Sequence, residues 1–138
     1  MQILQPAGWD RPRGYANGVA AEGRLVFIAG QIGWNARQRF DHDDLPGQVR
    51  QALQNVVTVL AEAGGLPEHI TRLTWYLIDK RDYVAQATSI GAAYRDVIGR
   101  HFPAMTAVQV SALVEDAALI EIEASAVIPA NPPAPDRP

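Results

Sequence analysis

Two carboxylates alternate with apolar residues near the end of the chain. Glu121 and Glu123 are separated and flanked by isoleucine and alanine, so a strand here would place both carboxylates on one face and apolar side chains on the other. Paired carboxylates can carry acid–base chemistry, whereas carboxylates on a strand are more often simply solvated. The pattern alone leaves both interpretations open.

Other catalytic and metal-binding groups are scarce. The chain has no cysteine and three histidines, which excludes thiolate catalysis and Cys-ligated zinc. His42 precedes two aspartates, but these residues also suit the start of a helix, and no closed ligand set can be assembled around them. The glycines form neither a phosphate-binding loop nor a dinucleotide-binding motif. We therefore predict that the chain binds no metal.

Composition indicates one globular domain. The chain has 138 residues, of which 48% are hydrophobic and 20% charged, and this balance is typical of a folded domain. A net charge of -3 and scattered arginines disfavour nucleic acid and membrane surfaces as partners. Neither a membrane span nor a secretion signal is visible. We predict a soluble, cytoplasmic protein with one domain over 1–128 and a proline-rich tail over 129–138.

Hydrophobic periodicity predicts an α+β fold with two helices. Helical spacing of apolar residues extends from the Asp43–Asp44 pair to Gly64, and again from about Asp82 to Gly99. Alternating or β-rich runs predict strands at 2–4, 19–21, 24–30, 70–78, 104–113 and 118–128. The last two are predicted to form a hairpin. This order indicates one sheet with both helices packed on one face.

The strand patterns also predict an oligomer. In the predicted hairpin, even-numbered residues such as Thr106 and Ile122 are expected in the core, with Met105 on the opposite face beside Glu121. The strands at 24–30 and 70–78 are apolar on both sides, although only two helices are available to cover the sheet. A second copy of the chain is the natural cover for the other face, so we expect a homo-oligomer.

Several motifs together resemble the RidA/YjgF family, which is also called endoribonuclease L-PSP-like. They lie in the family's order over nearly the whole chain before the tail, and each is weak alone. The segments are GYANGV from Gly14, LVFIAGQI from Leu25, WYLID from Trp75, FPA from Phe102, TAVQV from Thr106 and IEIEA from Ile120.

The resemblance implies a chorismate-mutase-like α+β fold with one mixed sheet, assembled as a homotrimer with small-molecule clefts between subunits. Members of the family hydrolyse reactive imines and enamines to 2-keto acids and ammonia without a metal or organic cofactor. We accordingly expect no cofactor. The family names also mention ribonuclease activity, but the acidic charge and the lack of a basic groove argue against nucleic acid here.

The resemblance implies four site residues position by position, which are Tyr15, Gly30, Gln31 and Glu121. We expect Trp34, Met105 and Thr106 to complete the cleft. Glu121 would orient the hydrolytic water. The substrate-binding residues would be Tyr15, Gly30, Gln31, Trp34, Met105 and Thr106. Trp34 is expected to supply the aromatic neighbour of Met105 in an apolar cleft floor.

Position 105 departs from the family pattern, because Met105 stands where active members have an arginine that binds the substrate carboxylate. Methionine offers neither charge nor hydrogen-bond donors. Arg13, Arg24 and Arg100 lie nearest the motifs in sequence and could substitute only if the fold brings them close. We predict either a hydrolase with altered substrate preference or a non-catalytic homotrimer that binds a small metabolite or a protein partner.

Overall fold

A four-stranded mixed sheet with helices on one face forms the body of the structure, a computed structural model that describes residues 1–130. Its elements are β1 (Gln2–Leu4), β2 (Gly18–Ala20), β3 (Arg24–Ile32), α1 (Leu45–Glu62), β4 (Ile70–Leu77), α2 (Lys80–Ala85), α3 (Ala87–Val97), β5 (Ala104–Gln109) and β6 (Ile120–Ile128). The sheet order is β3-β6-β4-β5, in which β5 runs parallel to β4 and the other pairs are antiparallel. The separate strands β1 and β2 pair antiparallel. The predicted α+β architecture is confirmed.

Helix α1 forms as its sequence predicts. The Asp44 carboxylate caps the helix by accepting a hydrogen bond from the Gly47 N–H at 3.2 Å, and Pro46 occupies the first turn, where it needs no donor. Gly64 follows the helix at φ +80°, a conformation that glycine adopts at low cost. One face of the helix is completely buried against the sheet through Val49, Ala52, Leu53, Val56 and Leu60.

The second predicted helix is in fact two helices. Asp79 caps α2 by accepting a hydrogen bond from the Arg81 N–H at 2.9 Å, and the chain then breaks at Gln86, whose φ and ψ are -106° and 21°. The Gln86 side-chain amide donates back to the Asp82 carboxylate at this break. Helix α3 follows this break. The prediction that this segment is helical is confirmed, whereas the prediction of one continuous helix from 82 to 99 is wrong.

The predicted hairpin between the last two strands is wrong. Strand β4 lies between β5 and β6 and pairs with both. The connection 110–119 is long enough to cross β4, since neighbouring strands are only about 4.8 Å apart. Sequence proximity favoured the hairpin, whereas burial favours β4 in the interior, because Leu73, Trp75 and Leu77 all lie in the core. Strand β5 is left at the edge and ends at Gln109, before the predicted Leu113.

The predicted facing of β6 is confirmed and that of β5 is wrong. Ile120 and Ile122 are fully buried on the helix side. In β5, Met105 pairs in register with the buried Leu73 and packs against the same core, whereas Thr106 is exposed. Because side chains alternate with a period of two, one wrong assignment reverses the whole strand. Met105 therefore lies on the helix side of the sheet, away from Glu121.

The face of the sheet without helices exposes large apolar side chains. Phe27 is 79% exposed and Leu25 is 64% exposed in the single chain, as the doubly apolar strand pattern predicts. No helix within residues 1–130 has the length and apolar character needed to cross a membrane. The predicted tail falls outside the described residues from 131 onward, so it stays a prediction.

Candidate functional site

Glu121 lies directly against the backbone of Gly30 on the helix-free face. A Cβ added at Gly30 would lie 2.8 Å from Cδ of Glu121, closer than carbon atoms pack. Pairing between β3 and β6 is irregular between Ile28 and Gln31, which is the behaviour of a β-bulge. The missing side chain at position 30 therefore leaves room for a carboxylate beside an exposed segment of backbone. The structure brings these two predicted site residues together.

The two carboxylates of β6 differ in what they bind. Glu123 accepts a hydrogen bond from the Tyr76 hydroxyl at 2.6 Å, and this bond is the main reason why the pKa of Tyr76 is raised above its usual value. Glu121 has no hydrogen-bond partner in the described part of the chain. Glu123 is therefore used within the sheet, whereas the Glu121 carboxylate remains available to a water or a ligand.

A cavity of about 770 Å³ lies at the other side of the sheet, between α3, β5 and the N-terminal segment. Tyr15, Met105 and Thr106 are among the residues that line it. The Ala16 N–H donates to the Pro103 carbonyl at 3.0 Å, and this contact holds the segment carrying Tyr15 alongside the start of β5. Three more predicted substrate-binding residues therefore meet in one cavity.

The base of this aromatic cavity is apolar and uncharged. Trp75, Ile90 and Tyr94 line it and are each at least 94% buried. The ring of Tyr94 stacks on Phe102 at a centroid distance of 5.5 Å, and its hydroxyl donates to the His101 carbonyl at 2.5 Å. Burial raises the pKa of Tyr94, so its phenol is neutral at physiological pH. A cavity of this size and lining suits a small organic molecule.

Two arginines complete the lining of the aromatic cavity. The fold brings in Arg13, one of the three arginines considered from sequence, together with Arg95, which sequence reasoning missed. Arg24 instead donates to the Ala63 carbonyl at 2.5 Å. Arg95 follows Gly91 by four residues on α3, and this helical spacing places the two on one face. That spacing could have identified Arg95 once the facing of α3 was known.

Gln31 and Trp34 lie elsewhere in the single chain. Both line a second cavity of about 640 Å³ against α1, where Trp34 contacts Phe40 at a ring-centroid distance of 6.0 Å. The Asn55 amide holds this segment by donating to the Trp34 carbonyl at 2.8 Å. Within one chain, the aromatic rings that line the cavity with Met105 are Trp75, Tyr83, Tyr94, Phe102 and Tyr15, and Trp34 is not among them.

The site has no metal-binding character in the part of the chain that the structure describes. Residues 1–130 contain no convergent group of three or more histidine, aspartate or glutamate side chains. Two features could serve a reaction or bind a ligand. One is the carboxylate of Glu121 on the helix-free side of the sheet, and the other is the aromatic cavity bordered by arginines on the opposite side. A single chain keeps these two features apart.

Comparison with known proteins gives consistent matches over most of the chain. The family model described as endoribonuclease L-PSP matches residues 10–128. A RutC family protein of Pyrococcus horikoshii is 34% identical over 126 residues, which is 91% of this chain and 96% of the relative. A 2-iminobutanoate/2-iminopropanoate deaminase of Salmonella typhimurium is 33% identical, over 82% of this chain and 86% of that protein.

Solved structures agree with these sequence matches. The crystal structure of YyfB of Yersinia pestis, described as a conserved Rid-family protein of unknown function, superposes with a TM-score of 0.78 at 33% identity. The match covers 92% of this chain and 98% of that one. The fold described above is therefore shared with a solved protein of the Rid family.

Proposed function

Because this chain belongs to the endoribonuclease L-PSP family of RidA and YjgF proteins, we propose that it is a hydrolase of small imines or enamines with an altered substrate preference. Some relatives are named 2-iminobutanoate/2-iminopropanoate deaminases, and this is the activity from which the proposal starts. The proposed substrate differs from that of these deaminases, because Met105 stands where active family members have a carboxylate-binding arginine.

The proposed reaction is the addition of water to a C=N bond. Water attacks the carbon of the protonated imine while the Glu121 carboxylate accepts one of its protons, which gives a neutral carbinolamine. The Glu121 carboxyl then returns this proton to the amino nitrogen. The hydroxyl proton passes to Glu121 as the C=O bond forms and the C–N bond breaks, so the products are a carbonyl compound and ammonia, which takes up the remaining proton as ammonium. An enamine first takes up a proton at carbon to become the protonated imine. A carboxylate can serve as this base when one of its oxygens lies within hydrogen-bond reach of the attacking water.

The observation that carries the proposal is the Glu121 carboxylate resting on Gly30 without a hydrogen-bond partner within residues 1–130. Glu121 is half-buried beside the exposed backbone of Gly30, so its carboxylate oxygens can accept a hydrogen bond from a water or a substrate. Glu123 lacks this freedom, since Tyr76 already donates to it. These contacts distinguish one carboxylate as the candidate base.

Assembly into a homotrimer is part of the proposal. Glu121 lies on the helix-free face with the exposed Phe27 and Leu25, whereas Tyr15 and Met105 line the aromatic cavity on the other side. In the proposed trimer, Glu121 of one subunit lies beside the aromatic cavity of the next. The complete site would then lie between subunits.

The hydrolase is tested by comparing two substitutions on one strand. Imines are generated in situ by an amine oxidase or an amino-acid oxidase from a panel of amines and amino acids, and ammonia release is followed with and without the protein. We expect Glu121→Gln to remove most of the acceleration, roughly a hundredfold for a lost general base. The matched variant Glu123→Gln should keep most of it. Equal losses in the two variants would contradict the assignment.

A non-catalytic binding protein is the second candidate, and Met105 is the observation that favours it. Loss of the arginine removes the charged contact on which the family's usual reaction depends. A chain that binds ligands in the aromatic cavity but accelerates no imine hydrolysis across the panel would support this alternative.

A further inference from the structure

The rim of the aromatic cavity carries a concentrated positive charge. Arg13 and Arg95 both line it, and none of its fourteen lining residues is acidic, although the whole chain has a net charge of -3. Both arginines are exposed, whereas Trp75, Ile90 and Tyr94 are buried. The cavity therefore combines an apolar base with a cationic rim.

Arg95 is held over the cavity by its helical position. Side chains on a helix lean toward the preceding turn, and Nη1 of Arg95 lies 3.4 Å from where a Cβ of Gly91 would stand. Gly91 itself lines the cavity, so its missing side chain leaves an open surface beneath the guanidinium. A larger residue at position 91 would fill this space.

Neither arginine is neutralised by the described part of the chain. The single ion pair within residues 1–130 joins Arg50 to Asp96 at 2.9 Å, so the carboxylate next to Arg95 in sequence is already bound by another arginine. Arg13 and Arg95 also donate no side-chain hydrogen bond to residues 1–130. Their donors remain available to a ligand.

We propose that the aromatic cavity recognises a carboxylate with an apolar body, whose charged group is bound at the rim by Arg95 and Arg13 rather than at position 105. This inference rests on the proposed function and specifies its substrate class. Imines arise from amino compounds, whose usual anionic group is a carboxylate. Here that group would be separated from the reacting carbon by the apolar part of the molecule, which lies against Trp75 and Tyr94.

Binding of a matched pair of stable probes tests the inference. The probes are 3-phenylpropionate and its neutral isostere 3-phenylpropanamide, measured by isothermal titration calorimetry with the full chain. Charged hydrogen bonds are worth about 1.5–3 kcal/mol, so we expect the carboxylate to bind about tenfold more tightly or better. Arg95→Gln and Arg13→Gln should each remove most of this preference while leaving the affinity for the amide unchanged.

Two further variants complete the test. Arg81→Gln removes an exposed arginine that does not line the cavity, and it should change neither affinity. Arg95→Lys keeps the charge without the bidentate geometry and should lose only part of the preference. Equal affinity for the two probes, no binding of either probe, or a carboxylate preference that survives both Gln substitutions would overturn the inference.

The binding test is independent of catalysis. If the rim arginines select the carboxylate but no imine is hydrolysed, the proposed function fails and the inference holds for a binding protein. If imines are hydrolysed through Glu121 with no dependence on Arg95 or Arg13, the function holds and the inference fails.

Discussion

Met105 gives one part of the aromatic cavity an apolar lining. Met105 is half-buried there and packs against the core beside Leu73, so a substrate group that reaches it meets an apolar surface. The carboxylate of a small 2-imino acid would lie unpaired in these surroundings, and burying an unpaired charge is strongly unfavourable. The rim arginines suit a longer molecule.

We therefore expect the natural chain to give little or no acceleration of 2-aminoacrylate or 2-iminobutyrate hydrolysis. Met105→Arg should raise the rate with these substrates by tenfold or more, since a bidentate charged contact is worth about 1.5–3 kcal/mol per bond. The measurement is keto-acid release in an assay coupled to a dehydratase. Met105→Gln, which adds polarity without charge, is the control. A natural chain as active as an arginine-containing relative would contradict this expectation.

At the scale of the elements, Gln48 joins α1 to the segment that leads into β6. It is 1% exposed and is the one polar or charged residue buried within residues 1–130. Its amide donates to the carbonyls of His42 and Ala117 at 3.1 and 3.0 Å, and its carbonyl accepts from the Leu119 N–H at 2.8 Å. These bonds position the start of β6, the strand that carries Glu121.

Replacement of Gln48 should therefore destabilise the fold more than an ordinary helix substitution. Gln48→Ala leaves three backbone groups unpaired near the core, and we expect a loss of about 2–4 kcal/mol in the free energy of unfolding. Gln54→Ala, at an exposed position of the same helix, should change it by less than about 0.5 kcal/mol. Urea denaturation monitored by circular dichroism measures both. Similar values for the two variants would argue against this role of Gln48.

At the scale of the whole molecule, the helix-free face favours association with further subunits, which we propose form a homotrimer. A face that exposes 79% of Phe27 and 64% of Leu25 is the kind of apolar surface that another subunit covers. The number three comes from the family and is part of the proposal. In the proposed trimer, Glu121 and the aromatic cavity would face the site from different subunits.

Sedimentation equilibrium at micromolar concentration should accordingly show a trimer. Phe27→Asp places a charge in the proposed interface and should shift the protein toward monomer, with parallel loss of any imine hydrolysis. Val59→Asp, on the outer side of α1 where the side chain is 42% exposed, is the matched control and should leave the assembly intact. A stable monomer of the natural chain would refute the proposed assembly.

The local sequence pattern was sufficient to predict much of the fold. Capping by Asp44 and the apolar repeat of α1 depend on residues within a few positions of one another, so the helix could be placed within one or two residues of its observed bounds. The alternation in β6 likewise identified which of its side chains are buried. Glu121 and Gly30 were assigned through the family resemblance, and their contact was then found in the structure.

The order of strands in the sheet depends on which strands are buried in its interior. Residues that are neighbours in the chain do not reveal this order. Residues 104–113 and 118–128 are close in sequence and suit a hairpin, but the more apolar β4 is buried between them. That insertion places Met105 on the helix side of the sheet, together with Tyr15 and Arg95. Residue types and local spacing therefore specified α1 and the presence of the strands, whereas the family resemblance identified the candidate carboxylate. Which side chains share a cavity followed only from long-range packing, because a strand takes its facing from the partner beside it.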